Sequence, residues 1–137
     1  MNKLIAVYGT LRKGGSNHHV LGGSEFISEQ RIQGFQMYGC HDYPAIISGH
    51  YNEYITVEIY RVKSHSVADA IDVLEGFDRS NPNSLNNYYT LRKINIESIE
   101  ELLEIYTFDH TPHGIAELGP RILCGDWLKR HENNKHK

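Results

Sequence analysis

The loop Tyr8-Gly9-Thr10-Leu11-Arg12 follows an apolar run and leads into Gly14, Gly15 and a polar turn. If the N–H groups of Gly9, Thr10 and Leu11 point into a cavity, they form an anion-binding nest suited to a carboxylate. A helix N-terminus after the loop would add a favourable dipole. The same residues also suit a plain strand-to-helix turn that uses glycine for its geometry. The loop is not a phosphate-binding P-loop, because no lysine-serine or lysine-threonine pair follows its second glycine.

Glu75 is the second group able to do chemistry. It lies in the last turn of the helical segment within "SVADAIDVLEGFD", just before Gly76. At about 100° per residue it lies about 80° round a helix from Val67, at the border of the apolar stripe. The C-terminal end of a helix dipole repels negative charge. Partial burial and that dipole would both raise the pKa of the carboxyl, as suits a general base near neutrality. An ordinary solvated glutamate is the alternative. Tyr88 and Tyr89 could place a phenol at the start of a strand, either to donate to a ligand or to pack in the core. The histidines (His18 and His19, Cys40 with His41, His110 with His113) match no zinc spacing, and no metal site is expected. Cys40 lacks the local signature of a nucleophile.

These groups need elements to hold them. Leu4–Val7 reads as a strand buried on both faces. Ser16 or Asn17 could cap a short helix running to Leu21. Phe26–Tyr38 alternates loosely, with Gly34 as a candidate bulge, and a turn-rich stretch surrounds Pro44. Tyr54–Val62 is the cleanest strand, with Ile55, Val57 and Ile59 on one face and Thr56 and Glu58 on the other. The segment around Glu75 predicts a helix capped by Ser66, with Asp69 in its first turn, an apolar side of Val67, Ala70, Ile71 and Leu74, and a stop at Gly76. A polar loop from Asp78 to Asn87 leads to a strand from Tyr88 to Ile96. Ser98 with Glu101 could open a helix, but the β-branched and aromatic residues that follow favour a strand from Leu102 to Phe108. The chain closes on a strand or turn anchored by Trp127. Strands and helices mix without a βαβ rhythm, which predicts an α+β fold with a mixed or antiparallel sheet.

The chain has 137 residues and a formal net charge of −3. That suits a single domain over 1–130 with a polar tail at 131–137. The charges are dispersed, so nucleic acid is not an expected partner. No apolar run approaches the roughly 20 residues needed to cross a bilayer. Two cysteines far apart in sequence make no disulfide framework and fit a reducing cytoplasm.

The order of several short stretches carries a resemblance. "YGTLR" after an apolar strand, "YPAI" at Tyr43–Ile46, "IDVLEGFD", "YYTLRKINI" and "GDW" at Gly125–Trp127 together resemble the gamma-glutamylcyclotransferase-like superfamily, in its gamma-glutamylamine cyclotransferase-like and avirulence-induced-protein-like branch. The resemblance implies a mixed sheet closing into a small β-barrel with flanking helices. It implies that Tyr8, Gly9, Thr10 and Leu11 hold the glutamyl head of a small γ-glutamyl substrate, that Glu75 is the general acid/base, and that Tyr89 contacts substrate. The implied reaction is attack of the substrate's own α-amine on its γ-carbonyl, releasing 5-oxoproline and a free amine with no cofactor or metal. The sequence departs from the pattern at Leu91, where an arginine is usual, and in its asparagine-rich loop before Tyr88. The alternative is a module on the same fold that binds a small metabolite or a protein without turnover.

Overall fold

Leu4, Ile5, Ala6 and Val7 are all buried, and they occupy the middle of the molecule. They belong to β1 (Lys3–Val7), the central strand of a five-stranded sheet. The computed structural model describes residues 2–40, 42–84, 86–87, 89–108 and 118–136. One neighbour of β1 is β5 (Tyr54–Val62), antiparallel; the other is β7 (Ile99–Thr107), parallel. The edges are β2 (Glu25–Gln33), paired with β5, and β6 (Thr90–Ile96), paired with β7. The α+β class with a mixed sheet therefore holds. The last sheet segment is a strand, as its β-branched residues predict, and it begins at Ile99. Tyr88 and the histidines His110 and His113 lie outside the described residues.

The expected closed barrel does not form. The edges β2 and β6 are not paired. They flank an open cleft lined by Arg31, Gly34, Arg92 and Asn95, and Ser98 Oγ donates to Gln30 Oε1 across it at 2.9 Å. Barrel closure needs a continuous ladder around the sheet. Here the chain leaves the sheet at Gly34, whose φ of +91° makes it a corner rather than a bulge. It continues as β3 (Phe35–Cys40) and β4 (Tyr43–Ser48), a separate hairpin. Pro44 thus stands in a strand, not in the expected turn, and Cys40 and His41 contribute no described side chain.

β5 is buried on both faces, so the expected polar face of Thr56 and Glu58 is inside as well. Glu58 tolerates this because Arg12 pairs with it. The helix α1 (His65–Leu74) starts earlier than expected. Ser64, not Ser66, is its N-cap, accepting from the Val67 N–H at 3.4 Å, so Asp69 falls outside the first turn. Its inward side is Ala68, Ile71 and Asp72, with Ala70 and Leu74 exposed. Relative to the apolar stripe read from sequence, the helix is rolled by one residue, about 100°. That roll turns Glu75 inward, at the C-cap, one turn after Asp72.

The segment after the first loop is a single 3₁₀ turn, His18–Leu21, and neither Ser16 nor Asn17 caps it. Asn17 instead turns its amide back to Thr10 Oγ1 at 3.0 Å. Near the other end, Arg121 makes one bridge to Tyr38. Trp127 is buried and opens two short 3₁₀ helices, Trp127–His136, that meet at Lys129. Among the described residues no helix is long and apolar enough to cross a membrane.

Candidate active site

The loop after β1 is held from below by Arg12, only 3% exposed. Its Nε meets Glu58 Oε2 at 2.8 Å, Nη1 meets Asp126 Oδ1 at 2.7 Å and Nη2 meets Glu29 Oε1 at 2.9 Å. Burial works against the guanidinium charge, but the bonds to Glu58 and Asp126 outweigh it and hold the pKa of Arg12 up. Glu58 also accepts from the Lys13 N–H and from Tyr60 at its other oxygen, so every side of the pair is used. The first and last sequence stretches that carry the resemblance, "YGTLR" and "GDW", therefore meet in one buried ion pair.

The carbonyls of the loop are spoken for. Gly9 O accepts from Arg12 N–H at 3.0 Å, Thr10 O from Asn17 N–H at 2.9 Å and Arg12 O from Gly15 N–H at 2.7 Å, while Leu11 O meets His18 Nδ1 at 2.8 Å. Among the described residues the N–H groups of Gly9, Thr10 and Leu11 donate to no protein acceptor. Such a loop, with carbonyls tied and amides unspent, is the arrangement an anion-binding nest requires.

Those residues line a cavity of about 530 Å³. Tyr8, Gly9, Thr10 and Leu11 form one wall, and Glu75 and Tyr89 are part of the same lining. Tyr8, Gly9, Thr10, Leu11, Glu75 and Tyr89 therefore share one hollow. Tyr8 and Tyr89 also act as struts, the first donating to Tyr106 O at 2.7 Å and the second to Pro44 O at 3.0 Å. Tyr89 precedes β6 and is buried, packed on Phe108 with ring centroids 4.4 Å apart.

Glu75 is half-buried at the end of α1, and Gly76, at φ +61°, ends the helix there. Among the described residues its carboxyl accepts no hydrogen bond. Burial, and after it the nearby Asp72 carboxylate, push the Glu75 pKa up to about 8. A carboxyl so placed is poised to exchange a proton near neutrality.

Sequence reasoning missed several lining residues: Asn17, Tyr43, Pro44, Val73, Leu74 and Tyr106. Val73 and Leu74 are hydrophobic yet 81% and 40% exposed, beside Glu75 at the cavity wall. Pro44 explains the glycine at position 9. A Cβ there would lie 2.5 Å from Pro44 Cγ, inside a ring that cannot swing away. Gly9→Ala is expected to force β4 from the loop and cost about 1–3 kcal/mol, read as a lower melting temperature. An unchanged melt would show that the loop and β4 are not in contact. The asparagine-rich loop is also ordered by one residue: buried Asn87 accepts from Asp78 N–H at 2.9 Å and donates to Asn81 O at 3.2 Å. Among the described residues no three His, Cys, Asp or Glu side chains gather as a metal ion would require.

The family model for gamma-glutamyl cyclotransferase, AIG2-like proteins matches residues 5–129. A Vibrio cholerae protein named as a candidate gamma-glutamylcyclotransferase is 30% identical over 131 residues, covering 95% of this chain and 99% of its own. A Pyrococcus horikoshii protein named in the same way is 35% identical over 124 residues, covering 90% of this chain and 89% of its own. The crystal structure of the Pyrococcus horikoshii protein superposes with a TM-score of 0.68 at 25% identity, over 98% of this chain and 97% of that one.

Proposed function

The chain belongs to the gamma-glutamyl cyclotransferase, AIG2-like family, and from that membership and the cavity we propose that it converts a small γ-glutamyl conjugate into 5-oxoproline and a free amine. The observation that carries this reading is the shared hollow: unspent loop amides and a proton-exchanging carboxyl line the same cavity.

In this reading the N–H groups of Gly9, Thr10 and Leu11 hold the substrate α-carboxylate. That grip curls the glutamyl chain so that its α-amine nitrogen meets the γ-carbonyl carbon. A new C–N bond closes the five-membered ring, and the C–N bond to the amine portion breaks. Glu75 takes a proton from the attacking nitrogen and delivers one to the departing nitrogen. The substrate supplies its own nucleophile, so orientation is the larger contribution, on the order of 7–11 kcal/mol for well-placed intramolecular groups. Proton transfer adds about 10²–10⁴-fold.

The reaction has a pH signature. Glu75 can accept a proton only when ionised, and its pKa is near 8. kcat/KM is therefore expected to fall about tenfold per unit as pH drops below about 8. A rate flat from pH 6 to 9 would contradict a base of this kind. The exposed Val73 and Leu74 offer the amine portion an apolar surface, and an exposed pair of large hydrophobic residues at a cavity is informative in itself. Leu74→Ser, which removes the apolar surface without adding a charge beside Glu75, is expected to lower kcat/KM about tenfold on a γ-glutamyl butylamide and little on the methylamide. Equal losses on both would place the amine portion elsewhere.

The reading is tested by following 5-oxoproline release across a panel of γ-glutamyl conjugates. Binding of several members with no release from any would favour a module without turnover.

A further inference from the structure

Asp72 is a carboxylate buried in the wall behind the cavity, and the proton transfer described above does not use it. It lies three residues before Glu75 on the inward side of α1, and positions three apart on a helix are neighbours at about 5–6 Å between Cβ atoms. Its place is set from several directions. Arg79 grips both its oxygens, Nε to Oδ2 at 2.9 Å and Nη2 to Oδ1 at 3.1 Å. The hydroxyl of Tyr106, which lines the cavity, donates to Oδ1. The Asp72 carbonyl accepts from Phe77 N–H at 3.0 Å, closing the turn that carries Glu75 and Gly76. Arg79 is held in turn by Glu104, at 3.1 Å from Nη2, and Glu104 is paired with Lys3 at 2.8 Å. Strands β1 and β7 and the segment after α1 thus all converge on this aspartate.

We propose that Asp72 is a positioning residue of this site: clamped by Arg79 and Tyr106 one helical turn before Glu75, it fixes the helix end and holds a like charge beside that carboxyl, setting the proton affinity with which Glu75 works. A like charge disfavours ionisation of its neighbour, and Arg79, the cation paired with Asp72, partly offsets it. Other titratable or charged groups among the described residues facing this corner are Tyr106 and Glu104 from β7, Lys3 from β1, Tyr8 after β1, Tyr43 from β4, and Tyr89 before β6. The Tyr106 hydroxyl is kept protonated by its burial and by the bond to Asp72. Tyr106 therefore places no second negative charge at Glu75 near neutrality. This proposal rests on the reading of Glu75 as the proton carrier, but it predicts a titration that can be measured without turnover.

The experiment is a carbon-13 NMR titration of the Glu75 side-chain carboxyl, assigned by its loss in Glu75→Gln, in wild type and in Asp72→Asn. Asparagine keeps the size and leaves one oxygen to accept from Tyr106 and Arg79 Nη2, while the charge and the bond from Arg79 Nε are lost. The Glu75 midpoint is expected to fall by about one unit, and the rising limb of kcat/KM to move with it. Arg79→Gln removes the offsetting cation, and there the midpoint is expected to rise. It serves as the second test should Asp72→Asn fail to fold. A midpoint that stays put, or that moves the other way in either variant, overturns the proposal. Absence of 5-oxoproline from wild type would instead remove the proposed reaction and leave the titration readable.

Discussion

Glu75→Gln is expected to lower kcat/KM by about 10²–10⁴-fold with the fold intact. Glutamine matches the size of the side chain and cannot accept and return a proton. The substitution should also raise stability in a defined pH window. The unfolded chain releases the Glu75 proton near the ordinary value of 4.5, whereas the folded protein holds it up to about 8. Across that interval the folded state binds the extra proton, so stability contributed by this group is full at low pH and declines as pH rises. Above the upper value the folded protein carries the whole cost of a poorly solvated charge. The Gln variant has no such cost, so it should melt above wild type at pH 8 and level with it at pH 4. A variant that turns over normally would dismiss Glu75 as the proton carrier. One that melts below wild type at pH 8 would mean the charge is well solvated.

Arg12→Met is expected to be the most destabilising of the single substitutions considered, at about 3–5 kcal/mol. Arg12 lies between Glu58 and Asp126, both buried, and its loss leaves two carboxylates without their cation. Lysine should not rescue it, because one ammonium cannot reproduce the forked contacts to Glu29, Glu58 and Asp126. If uncompensated charge is the cause, adding Glu58→Gln and Asp126→Asn to Arg12→Met should recover much of the loss. Chemical denaturation of the single and triple variants checks this. A single variant within about 1 kcal/mol of wild type would show that the ion pair is a solvated surface contact. The loop that Arg12 supports lines the cavity, so a folded Arg12 variant should also bind γ-glutamyl compounds weakly.

The strands were the most legible part of this sequence: β1 is a run of apolar residues and β5 alternates apolar and polar ones, although only the pairing with Arg12 explains why its Thr56 and Glu58 face is buried too. The helix was legible in place but not in rotation. Its inward side includes two acids, Asp72 and Glu75, and a rule that counts apolar residues turns such a face outward. The proposed chemistry at the end of α1 rests on the same two acids. The closed barrel failed for a reason that one residue shows: Gly34 reads equally as a bulge or a corner, and only the packing of the β3–β4 hairpin decides between them. The lining residues Tyr8 to Leu11, Glu75 and Tyr89 were named from their stretches of sequence, yet nothing local says that they converge. Arg12 and Asp126 are 114 positions apart, and a pairing at that distance leaves no periodic trace. Tyr106 looks like any aromatic residue of a strand until its hydroxyl is seen on Asp72.

The most direct test of the account follows both products when the wild-type protein meets γ-glutamyl butylamide, read by proton NMR. The account predicts butylamine and 5-oxoproline in equal amounts, with both released about 10²–10⁴-fold more slowly by Glu75→Gln. Butylamine accompanied by free glutamate would mean that water, not the substrate's own amine, attacks the carbonyl, and would contradict it.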